Sequence, residues 1–204
     1  MNIKHITAIV SLDLEKAFDT IYTDALIYRL SEMDLPVRII QLIHSYTSNR
    51  HFKVHANHQT SSIRPITAGV PQGSALGPVL YSLYINDIPK PVDHRVTNAL
   101  YADDTAIMVK SLNVQILGKL LQNHLNLLDE YFLEYGLKVN VDKCQATLFT
   151  RKLKIIPPKI TLSNRELVWT RQTKYLGVTL DKNLSFRPHI KNIVAAITPL
   201  PLTK

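Results

Sequence analysis

Apolar residues recur along the chain at the two spacings that distinguish strands from helices. Ile6 to Leu14 is rich in β-branched and apolar residues, which predicts a buried strand with Asp13 at its end. Val114 to Tyr135 carries leucines at helical spacing and is followed by Gly136, so it predicts a long amphipathic helix with a glycine stop. Shorter helices are predicted for Asp24 to Met33, Val37 to Tyr46, about Ala75 to Asn86 with Ser74 as its cap, and Pro188 to Ile197.

Two apolar runs, Val96 to Leu100 and Thr105 to Val109, flank the sequence Tyr101-Ala102-Asp103-Asp104. This pattern predicts a β-hairpin with two adjacent carboxylates at its turn. Further strands are predicted for Phe52 to Ile66, as a short hairpin around Asn57-His58, for Gln145 to Phe149, and for two or three segments between Ile160 and Leu180.

The order of the main elements is strand, helix, hairpin, long helix, strand. It corresponds to the split β-α-β-β-α-β arrangement, so we predict an α+β fold with a ferredoxin-like antiparallel sheet and helices on one face. In this topology the first strand is a neighbour of the hairpin. Asp13 is therefore predicted to lie beside Asp103 and Asp104, although ninety positions separate Asp13 from Asp103.

Three carboxylates at one end of a sheet offer the oxygen ligands that hard divalent cations prefer. Adjacent acids repel each other, and a cation between them explains why a stiff hairpin would hold them together. The chemistry that this site favours is metal-assisted phosphoryl or nucleotidyl transfer. A solvated Asp-Asp turn that binds no metal is the alternative.

The charge and the cysteine content of the chain indicate which partners and which kinds of site it can have. The 204 residues include 24 Lys and Arg against 16 Asp and Glu, and the formal charge of +8 favours a polyanionic partner such as DNA or RNA. The single cysteine, Cys144, excludes an internal disulfide and a multi-cysteine zinc site, and we expect it to act as a small, semi-buried apolar side chain.

The hydrophobic segments are short. Ile6 to Val10 lacks the length of a signal-peptide core, and Ala75 to Ile85 is too short to cross a bilayer. We therefore expect an intracellular protein that is neither secreted nor inserted in a membrane, with no distinction between nucleus and cytoplasm.

Five short motifs follow one another along the chain. They are Ser11-Leu12-Asp13-Leu14-Glu15-Lys16-Ala17-Phe18-Asp19; Gly69-Val70-Pro71-Gln72-Gly73-Ser74 with Leu76-Gly77-Pro78; Tyr101 to Asp104; Gly136-Leu137 with Asn140 and Lys143; and Lys174-Tyr175-Leu176-Gly177. In this order they resemble the palm motifs of the reverse transcriptases of non-LTR (LINE-type) retrotransposons, especially the jockey-like kind. The resemblance covers nearly the whole chain.

The resemblance implies an RNA-directed DNA polymerase that joins dNTPs to a DNA primer 3′-hydroxyl on an RNA template. Its cofactor would be Mg²⁺, as two ions, with Mn²⁺ as an alternative. Asp13, Asp103 and Asp104 are the implied catalytic residues and metal ligands, with Asp104 as the supporting acid. Lys143 would protonate the pyrophosphate leaving group, although an exposed lysine is also an ordinary surface charge.

Other motif positions imply contacts with the nucleotide, the template and the primer. Phe18 would crowd the sugar 2′ position and exclude ribonucleotides, unless it only packs at the start of a helix. Gln72 and Gly73 would approach nucleotide and template, unless they only form a turn, and Tyr101 belongs to the same binding region. Tyr175, Leu176 and Gly177 would form the hairpin that grips the primer.

Two further groups of polar residues have competing interpretations. Asp19 is a weaker candidate metal ligand, because a polar role at the start of a helix explains it equally well. His51, His55 and His58 invite a zinc hypothesis, but no cysteine or fourth ligand lies nearby in the sequence. A basic, phosphate-facing edge shared with Arg50, Lys53 and Arg64 is the favoured interpretation.

We divide the chain into a palm (1–155) with a partial fingers insertion (about 36–68), a primer-grip-like β segment (156–187) and a truncated start of a thumb (188–204). We expect the fingers, thumb and endonuclease segments that complete a full-length parent to be missing. Two alternatives stay open: an inactive remnant of a retrotransposon that at most binds nucleic acid non-specifically, and a different ferredoxin-like nucleotidyl transferase such as a cyclase.

Overall fold

The computed structural model describes residues 5–152 and 154–197. The helices are α1 (Thr23–Glu32), α2 (Val37–Thr47), α3 (Gly77–Tyr84), α4 (Val114–Glu134) and α5 (Arg187–Ile197). The strands are β1 (Ile6–Leu12), β2 (Arg50–Phe52), β3 (His55–Ala56), β4 (Gln59–Thr60), β5 (Arg64–Ile66), β6 (Val96–Tyr101), β7 (Asp104–Ser111), β8 (Gln145–Phe149), β9 (Thr161–Leu162), β10 (Arg165–Glu166), β11 (Trp169–Thr170), β12 (Gln172–Tyr175) and β13 (Val178–Asp181).

These elements confirm the predicted order, with a few shifts at their ends. The segment between Ile160 and Leu180, for which two or three strands were predicted, forms five short ones, because turns and bends interrupt it every few residues. Helix α3 begins at Gly77 rather than Ala75, because the Ser74 hydroxyl accepts the Gly77 N–H at 2.9 Å and so holds the preceding residues in a turn. Helix α4 ends as predicted: Gly136 has φ +63°, and the Leu137 N–H reaches back to the Phe132 carbonyl at 2.8 Å. Of the predicted thumb start, residues 198–204 lie outside the described part of the chain.

The chain divides into two compact units, and the first contains Met1–Asp13, Pro89–Glu130 and Val139–Lys204. Its five-stranded sheet has the order β11-β8-β1-β7-β6. The pairs β1–β7, β1–β8 and β6–β7 are antiparallel, which confirms the ferredoxin-like arrangement. The edge strand β11 differs from that prediction because it pairs with β8 in parallel.

The two faces of this sheet differ in burial. Alternate residues of β1 from Ile6 to Leu12 are buried, as expected for a strand with one covered face. On that face Asn98 of β6 accepts a 2.6 Å hydrogen bond from His124 of α4, so α4 covers it. Leu117, Leu121, Leu125 and Leu128 supply the buried side of this part of α4.

The β segment that follows Phe149 is fastened to α4. The Asp129 carboxylate accepts the backbone N–H and the hydroxyl of Ser163, at 2.9 Å and 2.7 Å. Gln122 exchanges hydrogen bonds with the backbone of Thr161. These bonds position the β9–β10 hairpin, which precedes β11 and the β12–β13 hairpin.

The second unit contains Leu14–Ile88 and Tyr131–Lys138. Its core forms where α1 packs on α2 and α3. The Asp87 carboxylate, just after α3, accepts bonds from Arg29 of α1 and from the hydroxyls of Tyr131 and Tyr135, at 3.1 Å and 2.9 Å for the tyrosines. This cluster ties three parts of the unit together.

The predicted hairpin around Asn57-His58 is confirmed in this unit, where both residues adopt positive φ between β3 and β4. Strands β2 and β5 pair on either side of it. None of the helices within residues 5–152 and 154–197 has the length and apolar character needed to span a membrane.

Candidate active site

Strand pairing in the first unit brings two acidic segments to the same level of the sheet. In β1 and β7 the last paired residues are Leu12 and Thr105, so Asp13 follows at the level of Asp104. Tyr101 pairs with Asp104 to close the β6–β7 hairpin, and Ala102 adopts φ +52° in its turn. The sequence prediction that Asp13 lies beside the Asp-Asp hairpin is consistent with this register.

The charges of these acids influence one another. Partial burial and the negative charges of Asp103 and Asp13 raise the pKa of Asp104. A hard divalent cation would relieve this repulsion, so the donor chemistry of the site fits Mg²⁺ or Mn²⁺. Within the described residues, however, no three His, Cys, Asp or Glu side chains are arranged so that they could hold a metal ion together.

The segment after α4 supports Asp13 from several directions. The Lys143 ammonium lies 3.5 Å from the Asp13 carboxylate, and both side chains are accessible to solvent. The Asp13 carbonyl accepts the Asn140 N–H at 2.8 Å, and the Asp13 N–H points to the Cys144 sulfur at 3.5 Å. Burial raises the pKa of the Cys144 thiol, which fits the predicted apolar role of this residue.

The supporting contacts of Asn140 and Cys144 were not predicted from the sequence. Cys144 lies 131 positions from Asp13. The one sequence signal for Asn140 was its place in the motif with Gly136 and Lys143, where no catalytic role was assigned to it. In the structure this residue acts through its backbone.

The β12–β13 hairpin is held against β6 on the same sheet unit. Its turn consists of Leu176 and Gly177, with φ +46° and +81°, which closes a two-residue connection. The Tyr175 hydroxyl donates to the Ala99 carbonyl at 3.2 Å. Burial and the charge of Asp104 raise the pKa of Tyr175, so the predicted primer-gripping residue lies within the field of the acidic hairpin.

Tyr101 itself is 65% exposed, and its ring stands free of the sheet core.

In the second unit, the first motif and the glycine-rich loop are joined by hydrogen bonds. The Val70 N–H donates to the Phe18 carbonyl at 2.9 Å, and the Gln72 amide donates to the Asp19 carboxylate at 2.7 Å. Helix α1 begins only at Thr23, so the interpretation of Asp19 as a helix-start residue is wrong. Its observed role is to hold Gln72.

Phe18 packs on Tyr81, with ring centroids 4.7 Å apart, and remains half-buried. The ring is therefore fixed in position by a buried tyrosine of α3. This contact is compatible with both interpretations of Phe18, as a packing residue and as a barrier to a ribose hydroxyl.

Two glycines of the loop differ in what surrounds them. Gly69 has φ +84°, and a Cβ there would lie 2.7 Å from the Asp19 Cα. Gly73 has φ +77° but no atom within 4 Å of such a Cβ. Gly69 therefore allows the loop to approach the first motif, whereas at Gly73 the protein itself requires glycine only for the positive φ.

The residues of the predicted basic edge lie in two different environments. Arg50 does not face solvent phosphates: its guanidinium donates to the carbonyls of Thr47, Ala68 and Gly69 and fixes the start of the glycine-rich loop. His51, Lys53, His55, His58 and Arg64 are exposed. The sequence has no acidic residue between Asp34 and Asp87, so this region is uniformly basic.

Comparisons with known proteins agree with these observations. Residues 1–180 match the family described as reverse transcriptase (RNA-dependent DNA polymerase). The chain is 36% identical over 191 residues to the RNA-directed DNA polymerase from the mobile element jockey of Drosophila melanogaster. It is also 36% identical over 189 residues to the probable RNA-directed DNA polymerase from transposon BS of the same species.

These matches cover 91% and 89% of the chain but only 21% of each relative, so the chain spans about a fifth of their length. Among solved structures, apo telomerase from Candida tropicalis shares the fold with a TM-score of 0.61 at 15% identity, over 89% of this chain and 35% of that one. Telomerase from Candida albicans gives a TM-score of 0.59 at 13% identity, over 88% and 30%.

Proposed function

Because the chain belongs to the reverse transcriptase (RNA-dependent DNA polymerase) family, we propose that it is the polymerase palm of a non-LTR retrotransposon protein. Its reaction is the addition of dNTPs to a DNA primer 3′-hydroxyl on an RNA template. The observation that carries this proposal is the alignment of Asp13 with the Asp103–Asp104 hairpin at one end of a ferredoxin-like sheet.

Asp13, Asp103 and Asp104 are the proposed metal ligands. Two Mg²⁺ ions, when bound, supply Lewis-acid stabilisation of the attacking and leaving oxygens in phosphoryl transfer. The protein's own contribution is to hold the carboxylates at the stiff ends of β1 and β7, because preorganised charge costs no rearrangement during the reaction.

Lys143 has two proposed tasks on the same side of the site. Its ammonium, 3.5 Å from Asp13, orients the carboxylate in the free protein. With 67% of its side chain exposed, it also has the room to turn towards the departing pyrophosphate and give it a proton.

The first unit carries the proposed primer contacts, and the second carries the proposed nucleotide and template contacts. Tyr175, fixed by its bond to β6, presents the Leu176-Gly177 turn to the primer end. Phe18 and Gln72 are the proposed nucleotide-side residues, each held by a partner within the second unit. The exposed basic residues around the β3–β4 hairpin contact template phosphates.

The test is primer extension on an RNA template with Mg²⁺ or Mn²⁺, using the folded 204-residue chain. We expect incorporation of dNTPs by the parent and its loss in Asp103→Asn. Asp34→Asn is the matched control, since Asp34 has φ +52°, a conformation that asparagine tolerates, and should retain activity. Absence of incorporation by a well-folded parent would refute the proposal for this chain.

The inactive-remnant alternative is not favoured, because a family match over residues 1–180 accompanies an intact set of motif acids. The cyclase alternative leaves the Gln72–Asp19 contact and the β12–β13 turn without a function.

A further inference from the structure

A second charged region lies at the opposite end of the first unit's sheet from the carboxylates. A cleft of about 280 Å³ beside the end of β8 is lined by Lys152, Lys154, Arg171 and Lys182, with Trp169 of β11 in its wall. Its described lining contains no carboxylate.

Strand register separates this cleft from the acidic site. Thr7 pairs with Phe149 and Ser11 pairs with Gln145, so β8 runs away from Asp13. The cleft residues next to Phe149 are level with Thr7, six residues along β1 from Asp13, which is roughly 20 Å at strand spacing. Trp169 pairs with Ala146, which is level with Val10, so it lies about 10 Å from the level of Asp13 and two strands away from β1. The cleft is therefore a separate place on the protein.

The positive charge of the cleft is not neutralised locally. From Thr150 to Lys191 the sequence contains ten Lys and Arg and only two acids, Glu166 and Asp181. The Asp181 carboxylate is turned towards the N–H groups of Ser185 and Phe186, each at 2.9 Å, and within the described part of the chain it forms no ion pair with any of the four cleft cations.

Across residues 5–152 and 154–197, none of the ion pairs involves the four cleft cations. Lys152 donates to the Leu112 carbonyl at 3.2 Å, a bond that orients its ammonium without cancelling its charge.

Trp169 is the second feature of the cleft. Its indole N–H donates to the Pro158 carbonyl at 2.7 Å, and its backbone pairs with Ala146 of β8, so the half-buried ring is fixed in place. A fixed aromatic ring surrounded by cations is the combination that binds single-stranded nucleic acid, in which unpaired bases stack and phosphates meet the charges.

We infer that this cleft binds single-stranded nucleic acid, with a base on Trp169 and backbone phosphates on Lys152, Lys154, Arg171 and Lys182. A duplex has no free base face for the ring, so the site selects an unpaired strand. This inference goes beyond polymerisation and needs no metal, because none of the acidic residues takes part.

The chain offers a direct probe, since Trp169 is its only tryptophan. Titration with a short oligouridylate or oligothymidylate should quench the tryptophan fluorescence in a saturable manner. The variant Lys152→Gln/Arg171→Gln/Lys182→Gln should weaken binding about tenfold or more and lower the salt slope by roughly 2, at about 0.7 per phosphate contact.

The control variant Lys90→Gln/Lys119→Gln/Lys191→Gln removes the same charge from exposed positions elsewhere and should bind like the parent. Trp169→Ala, followed by the anisotropy of a labelled oligonucleotide, should lose about fivefold or more in affinity, as expected for one stacked base.

Four results would overturn the inference: no quenching by either oligonucleotide, an equal loss of affinity in the control variant, equal quenching by a duplex of the same sequence, or equal quenching by inorganic tripolyphosphate. Asp103→Asn separates this inference from the proposed polymerase activity, because it should abolish primer extension and leave the quenching unchanged.

Discussion

Gly69 is where the backbone of the glycine-rich loop packs tightly on the backbone of the first motif, and Gly69→Ala tests whether this close packing matters. The added methyl would meet the Asp19 Cα at 2.7 Å and the carbonyl oxygens of Phe18 and Asp19 at 2.9 Å. All three atoms are backbone, so no side chain can rotate away and the loop itself must move.

The loss in free energy of unfolding expected for Gly69→Ala has two parts. Alanine at φ +84° costs about 1–2 kcal/mol for its left-handed conformation. Forcing a methyl into filled space adds about 1–3 kcal/mol, as in other overpacked sites. Gly73→Ala is a matched control, because it incurs the first cost at φ +77° while its Cβ has no neighbour within 4 Å.

Urea unfolding monitored by far-UV circular dichroism measures both variants. We expect Gly69→Ala to lower the free energy of unfolding by about 2–5 kcal/mol and Gly73→Ala by about 1–2 kcal/mol. Primer extension should fall further in Gly69→Ala, because displacement of the loop separates Gln72 from Asp19. Equal destabilisation by the two variants would show that the close packing around Gly69 adds nothing to the cost of the alanine.

Three further predictions concern other contacts. Phe18→Ala should admit ribonucleotides in primer extension, whereas unchanged discrimination between dNTPs and rNTPs would leave Phe18 as a packing residue. Asp87→Ala removes the shared acceptor of Arg29 and two tyrosines. Because the Asp87 side chain is 42% exposed, we expect a loss of only about 1–2 kcal/mol in the free energy of urea unfolding, and a smaller loss for Asp87→Asn. Burial lowers the pKa of His124, so its contribution to stability is present above about pH 6.5 and is lost as pH falls below that value. His124→Gln should therefore show a smaller loss of stability between neutral and mildly acidic pH, and an identical pH profile would contradict this.

The elements themselves were predictable because their signals are local. Alternating burial in β1, the leucine spacing of α4 and its glycine stop each reflect a short stretch of sequence. The parallel pairing of β11 was not predictable, because Trp169 and Thr170 form a two-residue strand with no pattern of its own. Its direction is set by the path of the chain between β8 and β11.

The residues of the candidate site also fall into those that the sequence indicated and those that it did not. The motif order indicated Asp13 and the hairpin acids, since those residues are themselves the proposed metal ligands. The roles of Asp19, Arg50 and Cys144 depend on partners that lie far away in sequence or on backbone carbonyls, which leave no trace in residue spacing. Sequence reasoning therefore assigned Arg50 to a phosphate-binding edge, while the fold uses it to fix a loop.

The central position of β1 in the sheet has a consequence for biosynthesis. Both of its neighbours are made later: β7 begins at Asp104 and β8 ends at Phe149. During translation β1 remains apolar and unpaired until the residues from Asp13 to Ser111 have been made, and an unpaired apolar strand readily associates with other chains. Products that terminate before Phe149 should accumulate as aggregates, whereas products that include β8 can close the sheet around β1.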